Sequence, residues 1–158
     1  QYQIIKREDF IVHRWSGGTT SEIFLFPPSS CWEKKDFQIR ISSADCRVDG
    51  APYSDFTGFT RHILPLRGSM HMFHEGHHEV LLNPFDIDIF DGSWNTHHIG
   101  KAVDLIFFVQ TLSPSSSKMD AFTVFIFLLA FNVPFTLKPA PLVIFLGWEH
   151  FFNNMVVF

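Results

Sequence analysis

Short runs of Phe, Ile, Val and Thr, each stopped within about ten residues by Gly, Pro, Asp or Ser, constrain this chain more than any other feature. Runs of that length are strands, because an amphipathic helix needs more residues to bury a face. The expected strands are Gln3 to Arg7, Thr19 to Phe26, Phe37 to Cys46, Thr60 to Leu66, Asp86 to Phe90 and Ala102 to Gln110. Ser69 to Phe73 and Glu79 to Leu82 read as a hairpin across His74-Glu75-Gly76-His77. Trp15-Ser16-Gly17-Gly18 reads as a tight turn, since paired glycines allow positive φ. Strands this short and this evenly punctuated fit a barrel or sandwich. Composition agrees. Phe numbers 20, and good helix formers are sparse.

Ser113 to Ser117 reads as an exposed loop or linker. It divides the chain into 1–112 and 113–158. The second part is again apolar, in Phe122 to Phe131, Leu142 to Leu146 and Met155 to Phe158. It is short for a complete barrel. Ala121 to Leu137 is almost wholly apolar, but shorter than a membrane-crossing helix and interrupted by Asn132 and Pro134, so buried strands are expected there.

With 46% hydrophobic and 18% charged residues, 158 residues bury a sizeable core, which excludes disorder. The net charge of -4 disfavours nucleic acid as a partner. Cys31 and Cys46 make no disulfide framework, and Gln1 to Phe10 is charged and lacks an apolar signal segment. A cytoplasmic location with reduced thiols is the expectation, with no membrane partner.

Phe37 to Cys46 carries the clearest chemistry. Alternation puts Phe37, Ile39, Ile41 and Ser43 on one face and Gln38, Arg40, Ser42 and Ala44 on the other. If the second face lines a barrel, Arg40 needs a carboxylate of the protein or an anionic ligand. If it faces out, Arg40 is solvated. Thr20, Glu22, Phe24 and Phe26 likewise share a face, and Glu22 is either the partner of Arg40 or a surface acid. Arg61 follows Gly58 near a turn. Asp104 interrupts an apolar run and, if buried, would pair with Arg40 or Arg61. Trp15 either walls a pocket or staples its loop.

Nine histidines invite a metal reading. His71, His74, His77 and His78 surround the expected hairpin turn, so their side chains should splay into solvent. None shows the His-x-His spacing that places two ligands on one strand face. No phosphate loop and no Gly-x-Ser-x-Gly elbow is present.

Several motifs in order resemble one family. They are Trp15-Ser16-Gly17-Gly18-Thr19-Thr20-Ser21-Glu22-Ile23, Phe37-Gln38-Ile39-Arg40-Ile41-Ser42-Ser43-Ala44 and the block Asp49 to Arg61. Leu66-Arg67-Gly68, Phe90-Asp91-Gly92 and Val103-Asp104-Leu105 follow. The chain resembles the HutD/Ves family of cupin-like proteins from Trp15 to about Val109. Ile106 stands where that family often carries Asn.

The resemblance implies an all-β cupin double-stranded β-helix, a jelly-roll-like barrel, with two β-rich halves forming a bicupin. It favours an interior place for Glu22, Arg40 and Ser42. It implies no cofactor and no catalytic residue, and a role in sensing or binding a carboxylate of histidine degradation such as formylglutamate or urocanate. Trp15, Glu22, Arg40, Ser42, Arg61 and Asp104 are the expected ligand-binding residues. The alternative is a metal-dependent cupin enzyme using some of His62, His71, His97 and His98. Exposed barrel edges and the Phe-rich second half favour a homodimer.

Overall fold

Alternating burial along each strand builds the architecture. The computed structural model describes residues 3–111, 143–145 and 155–157. Its strands are β1 (Gln3–Ile4), β2 (Ile11–Trp15), β3 (Gly18–Phe26), β4 (Ile39–Cys46), β5 (Phe59–Gly68), β6 (Met70–His74), β7 (His78–Leu82), β8 (Asp88–Asp91), β9 (Thr96–Ile99), β10 (Ala102–Gln110), β11 (Val143–Phe145) and β12 (Met155–Val157). One 3-10 turn, Arg7–Asp9, stands where the end of the first expected strand was. Strands β2 and β9 were not anticipated. The expected strands within Phe122 to Phe131 lie outside the described residues, as does Ala121 to Leu137. Among the described residues no helix is long and apolar enough to cross a membrane.

Two compact units are present. One is Ile11–Ser113, and the other combines Gln1–Phe10 with Pro114–Phe158. In the second, β1 pairs parallel with β12, and β12 pairs antiparallel with β11.

In Ile11–Ser113 a six-stranded sheet runs β2-β3-β4-β10-β5-β8, and a three-stranded sheet runs β7-β6-β9. Strand β10, last of this unit in sequence, lies between β4 and β5. Inserting a late strand between early ones is the non-sequential pairing of a jelly roll. The inner faces meet in one core of Phe37, Ala44, Cys46, Phe56, Phe59, Ile63, Phe90, Ile106 and Phe108 from one side and Met70, Met72 and Leu82 from the other. The fold is all-β.

The apolar run in β10 is buried on both faces: Ile106 and Phe108 point into that core, and Leu105 and Phe107 on the opposite face are also buried. Strand β3 departs from strict alternation. A bulge between Glu22 and Phe24 pairs Glu22 with Ser42 but Leu25 with Arg40. The extra residue turns Phe24 away and brings Leu25 to the inner face, against the expectation that Glu22, Phe24 and Phe26 share a side. Glu22 stays inside.

Candidate functional site

The inner face of the six-stranded sheet carries two arginines. On β4, alternation points Arg40, Ser42, Ala44 and Cys46 inward, and all four are buried. On β5 it points Phe59, Arg61 and Ile63 inward. Both arginines pair in register with one residue of β10, Phe108. Arg40, Phe108 and Arg61 therefore form one transverse row, and Phe90 of β8 extends it beyond Arg61.

Each guanidinium is handled differently. Arg40 Nε donates to Glu22 Oε2 at 3.0 Å, and Nη1 donates to Ser42 Oγ at 3.3 Å. Glu22 is 8% exposed, so this is a buried ion pair. Its desolvation is offset by the direct contact and by the rings of Trp32 and Phe108, 5.3 and 5.6 Å from the guanidinium carbon.

Arg61 is 2% exposed and, among the described residues, has no carboxylate within 4.0 Å. Its Nη2 donates to the carbonyls of Ser54 and Gly92, and Nε has no partner among the described residues. Tyr53, Phe56, Phe90 and Phe108 surround it at 5.1 to 5.7 Å. Burial draws its pKa down to about 10, still cationic at neutral pH.

Asp104 lies deeper along β10, opposite Ala44. It pairs with neither arginine. Its Oδ1 accepts from Ala44 N at 3.2 Å and its Oδ2 from the Cys46 thiol at 3.5 Å. Complete burial raises its pKa to about 7.

Trp15 lies away from this group. It ends β2 at a turn where Gly18 pairs with Cys46, and Arg40 is six residues further along β4. At about 3.3 Å per residue that is roughly 20 Å. Trp15 is 37% exposed, and its indole donates to Thr20 Oγ1 at 3.2 Å. It borders a shallow surface depression with Arg14, Gly17 and Arg47. The structure thus places Arg40 and Arg61 in the row and Glu22 and Ser42 beside Arg40, sets Asp104 further along β10 and leaves Trp15 outside.

The aromatic beside Arg40 is Trp32, which follows the Pro27 to Cys31 loop. Its indole Nε1 is buried without a partner among the described residues, and it stacks on Phe56. His98, fully buried, also has neither ring nitrogen bonded to a side chain or backbone group of the described residues, and it meets Tyr53 edge-on at 5.7 Å. Burial lowers its pKa. Trp32 escaped the sequence reading, and His98 entered it only as one histidine of the metal-enzyme alternative. Their only signal there was an aromatic ending a Pro/Ser loop and an alternating position in an unrecognised strand.

The sequence also matches a family model. The model named HutD matches residues 7–131. The chain belongs to the HutD family. HutD from Pseudomonas fluorescens SBW25 is 23% identical, with a TM-score of 0.58 over 67% of this chain and 59% of that one. A conserved protein of unknown function from Pseudomonas aeruginosa PAO1 is 25% identical, with a TM-score of 0.59 over 67% of this chain and 56% of that one. This HutD-family chain therefore spans under three fifths of the length of either relative. KdgF from a Halomonas species is 9% identical, with a TM-score of 0.53 over 70% of this chain and 96% of that one, a likeness of cupin-like fold. No curated protein matches.

Proposed function

We propose that this HutD-family chain binds a small carboxylate at the Arg40–Phe108–Arg61 row and serves a sensing role in histidine utilisation without catalysing a reaction. Formylglutamate and urocanate are the ligands considered first. The observation that carries the reading is Arg61: a buried guanidinium with no carboxylate partner among the described residues and a free Nε. A buried cation is costly without an anion, and a carboxylate matches the guanidinium fork. Arg40 is already neutralised by Glu22, so it supplies a fixed donor array and Ser42 a hydroxyl. Trp32 Nε1 offers another donor and an apolar wall. Asp104, held by Ala44 and Cys46, forms the floor and does not compete for either arginine.

In the whole protein the row would sit in one half of a bicupin. The parallel pairing of β1 with β12 supports that reading, because it commits the N-terminal strand to the C-terminal unit. A homodimer is the assembly proposed.

Calorimetry of tag-free protein with these acids tests the site. Arg61→Lys keeps the charge and loses the fork, and should weaken binding at least tenfold. Unchanged affinity in a folded Arg61→Lys protein would contradict the assignment.

A further inference from the structure

The β6–β7 turn was expected to hold its histidines in solvent. The hairpin instead pairs His74 directly opposite His78, on the inner face of the three-stranded sheet. His74 is 3% exposed, and His78 lies at the rim with 39% of its side chain exposed. Asp88, at the start of β8 in the six-stranded sheet, points at both. Its Oδ2 is 2.7 Å from His74 Nε2 and its Oδ1 is 3.2 Å from His78 Nε2. One ligand atom from each residue lies within 4.8 Å of the others.

The hydrogen bonds around His74 fix its ring. Thr96 Oγ1 lies 3.2 Å from the carbonyl of Trp94 and 2.9 Å from His74 Nδ1, and when its hydroxyl donates to the first it accepts from the second. A ring protonated on Nδ1 turns the Nε2 lone pair towards the Asp88 carboxylate, whose Oδ2 is 2.7 Å away. That lone pair and the carboxylate can share a cation in place of the proton of a hydrogen bond. A hydroxyl holding the far nitrogen of a histidine is the outer-sphere support that metal ligands use.

We propose that His74, His78 and Asp88 form a site for a divalent transition-metal ion of the zinc class. Ligands bonded at about 2.1 Å to a tetrahedral ion stand roughly 3.4 Å apart, so His78 Nε2 and Asp88 Oδ1 at 3.2 Å are already near that spacing, and His74 Nε2 and Asp88 Oδ2 must open from 2.7 Å. Two imidazoles and one carboxylate suit a borderline ion and not calcium or magnesium, which prefer oxygen donors alone. The rim position of His78 leaves a coordination position towards solvent for water or a ligand oxygen. The ion would clamp the two sheets together, because β6 and β7 belong to one and β8 to the other. The site shares no residue with the arginine row, and the Phe90 ring separates His74 from Arg61.

The test is zinc binding to tag-free, chelator-stripped protein, read by equilibrium dialysis with metal analysis, and repeated with cobalt for its visible spectrum. One equivalent should bind, with the spectrum of a low-coordinate nitrogen and oxygen site, and the melting point should rise. His78→Ala truncates a rim side chain and Asp88→Asn is isosteric, so both should fold. Each should weaken binding at least tenfold. His71→Ala and His97→Ala alter histidines that flank Phe73 on the other face, and should leave binding unchanged. Absence of stoichiometric binding, or binding that survives in both triad variants and falls in the flanking ones, would overturn the proposal.

Discussion

Arg40 and Arg61 stand on either side of a single ring, their guanidinium carbons 5.6 and 5.1 Å from the centroid of Phe108. The register produces this: both residues pair with Phe108 across the central strand β10. Two cations are thus held about two strand spacings apart, roughly 9.6 Å, on one inward surface. One is neutralised by Glu22 and the other is not. That asymmetry underlies the proposed carboxylate site.

Removing Arg40 alone should be severe. Arg40→Ala leaves Glu22 buried without its partner, which should cost about 3–5 kcal/mol in urea unfolding. Replacing both members, Arg40→Met with Glu22→Met, should recover most of that loss. A small effect of the single change would show that Glu22 reaches solvent.

Asp104 predicts a pH dependence of definite sign. Its folded pKa is raised from 3.8 to about 7, so between these values the folded chain holds a proton that the unfolded chain has released. Stability from this group is full below about pH 4, falls as pH rises, and levels off above pH 7. Asp104→Asn should therefore stabilise the protein by a few kcal/mol at pH 8 and by little at pH 4. Parallel stability curves for the two proteins would contradict the burial described for this side chain.

Gly92 links the loop to the arginine. Its N–H donates to the Phe59 carbonyl at 2.7 Å, and its own carbonyl accepts from Phe56 N and from Arg61. A Cβ here would collide with the Phe56 carbonyl oxygen. Gly92→Ala should lower stability by about 1–3 kcal/mol and weaken carboxylate binding together, since it moves an acceptor that orients Arg61. Unaltered binding in a destabilised protein would separate Gly92 from the site.

The two tryptophans should behave oppositely. Trp32→Phe keeps a ring near Arg40 and deletes a buried donor, so binding should weaken about fivefold, equivalent to ~1 kcal/mol. Trp15→Ala should leave affinity unchanged and cost less than about 1 kcal/mol of stability. Titration of both variants with the same acid checks the pair.

Much of this was legible in the sequence because strand periodicity is local. Arg40 and Ser42 share a face by alternation alone, and the Glu22 pairing followed once that face was inside. Trp15 was grouped with Arg40 because the motifs that carry them follow one another in sequence, whereas β4 separates the two positions along its length. Asp104 was assigned to the arginines on charge, but β10 places it four residues from Phe108, beside Ala44 and Cys46. The His74–His78 pair was missed for a geometric reason. Counting ligands along one strand ignores partners facing each other across a hairpin. Asp88, which completes that triad, comes from the other sheet and no spacing rule reports it.

The most direct test of the central claim changes the ligand and leaves the protein intact. Tag-free protein is titrated calorimetrically with urocanate, formylglutamate, formiminoglutamate, glutamate and histidine, and with the carboxamide counterpart of each acid. The account predicts that at least one acid binds and that its amide, which removes the negative charge opposite Arg61, binds at least tenfold more weakly. An acid and amide that bind equally well, or a panel in which no acid binds, would contradict it.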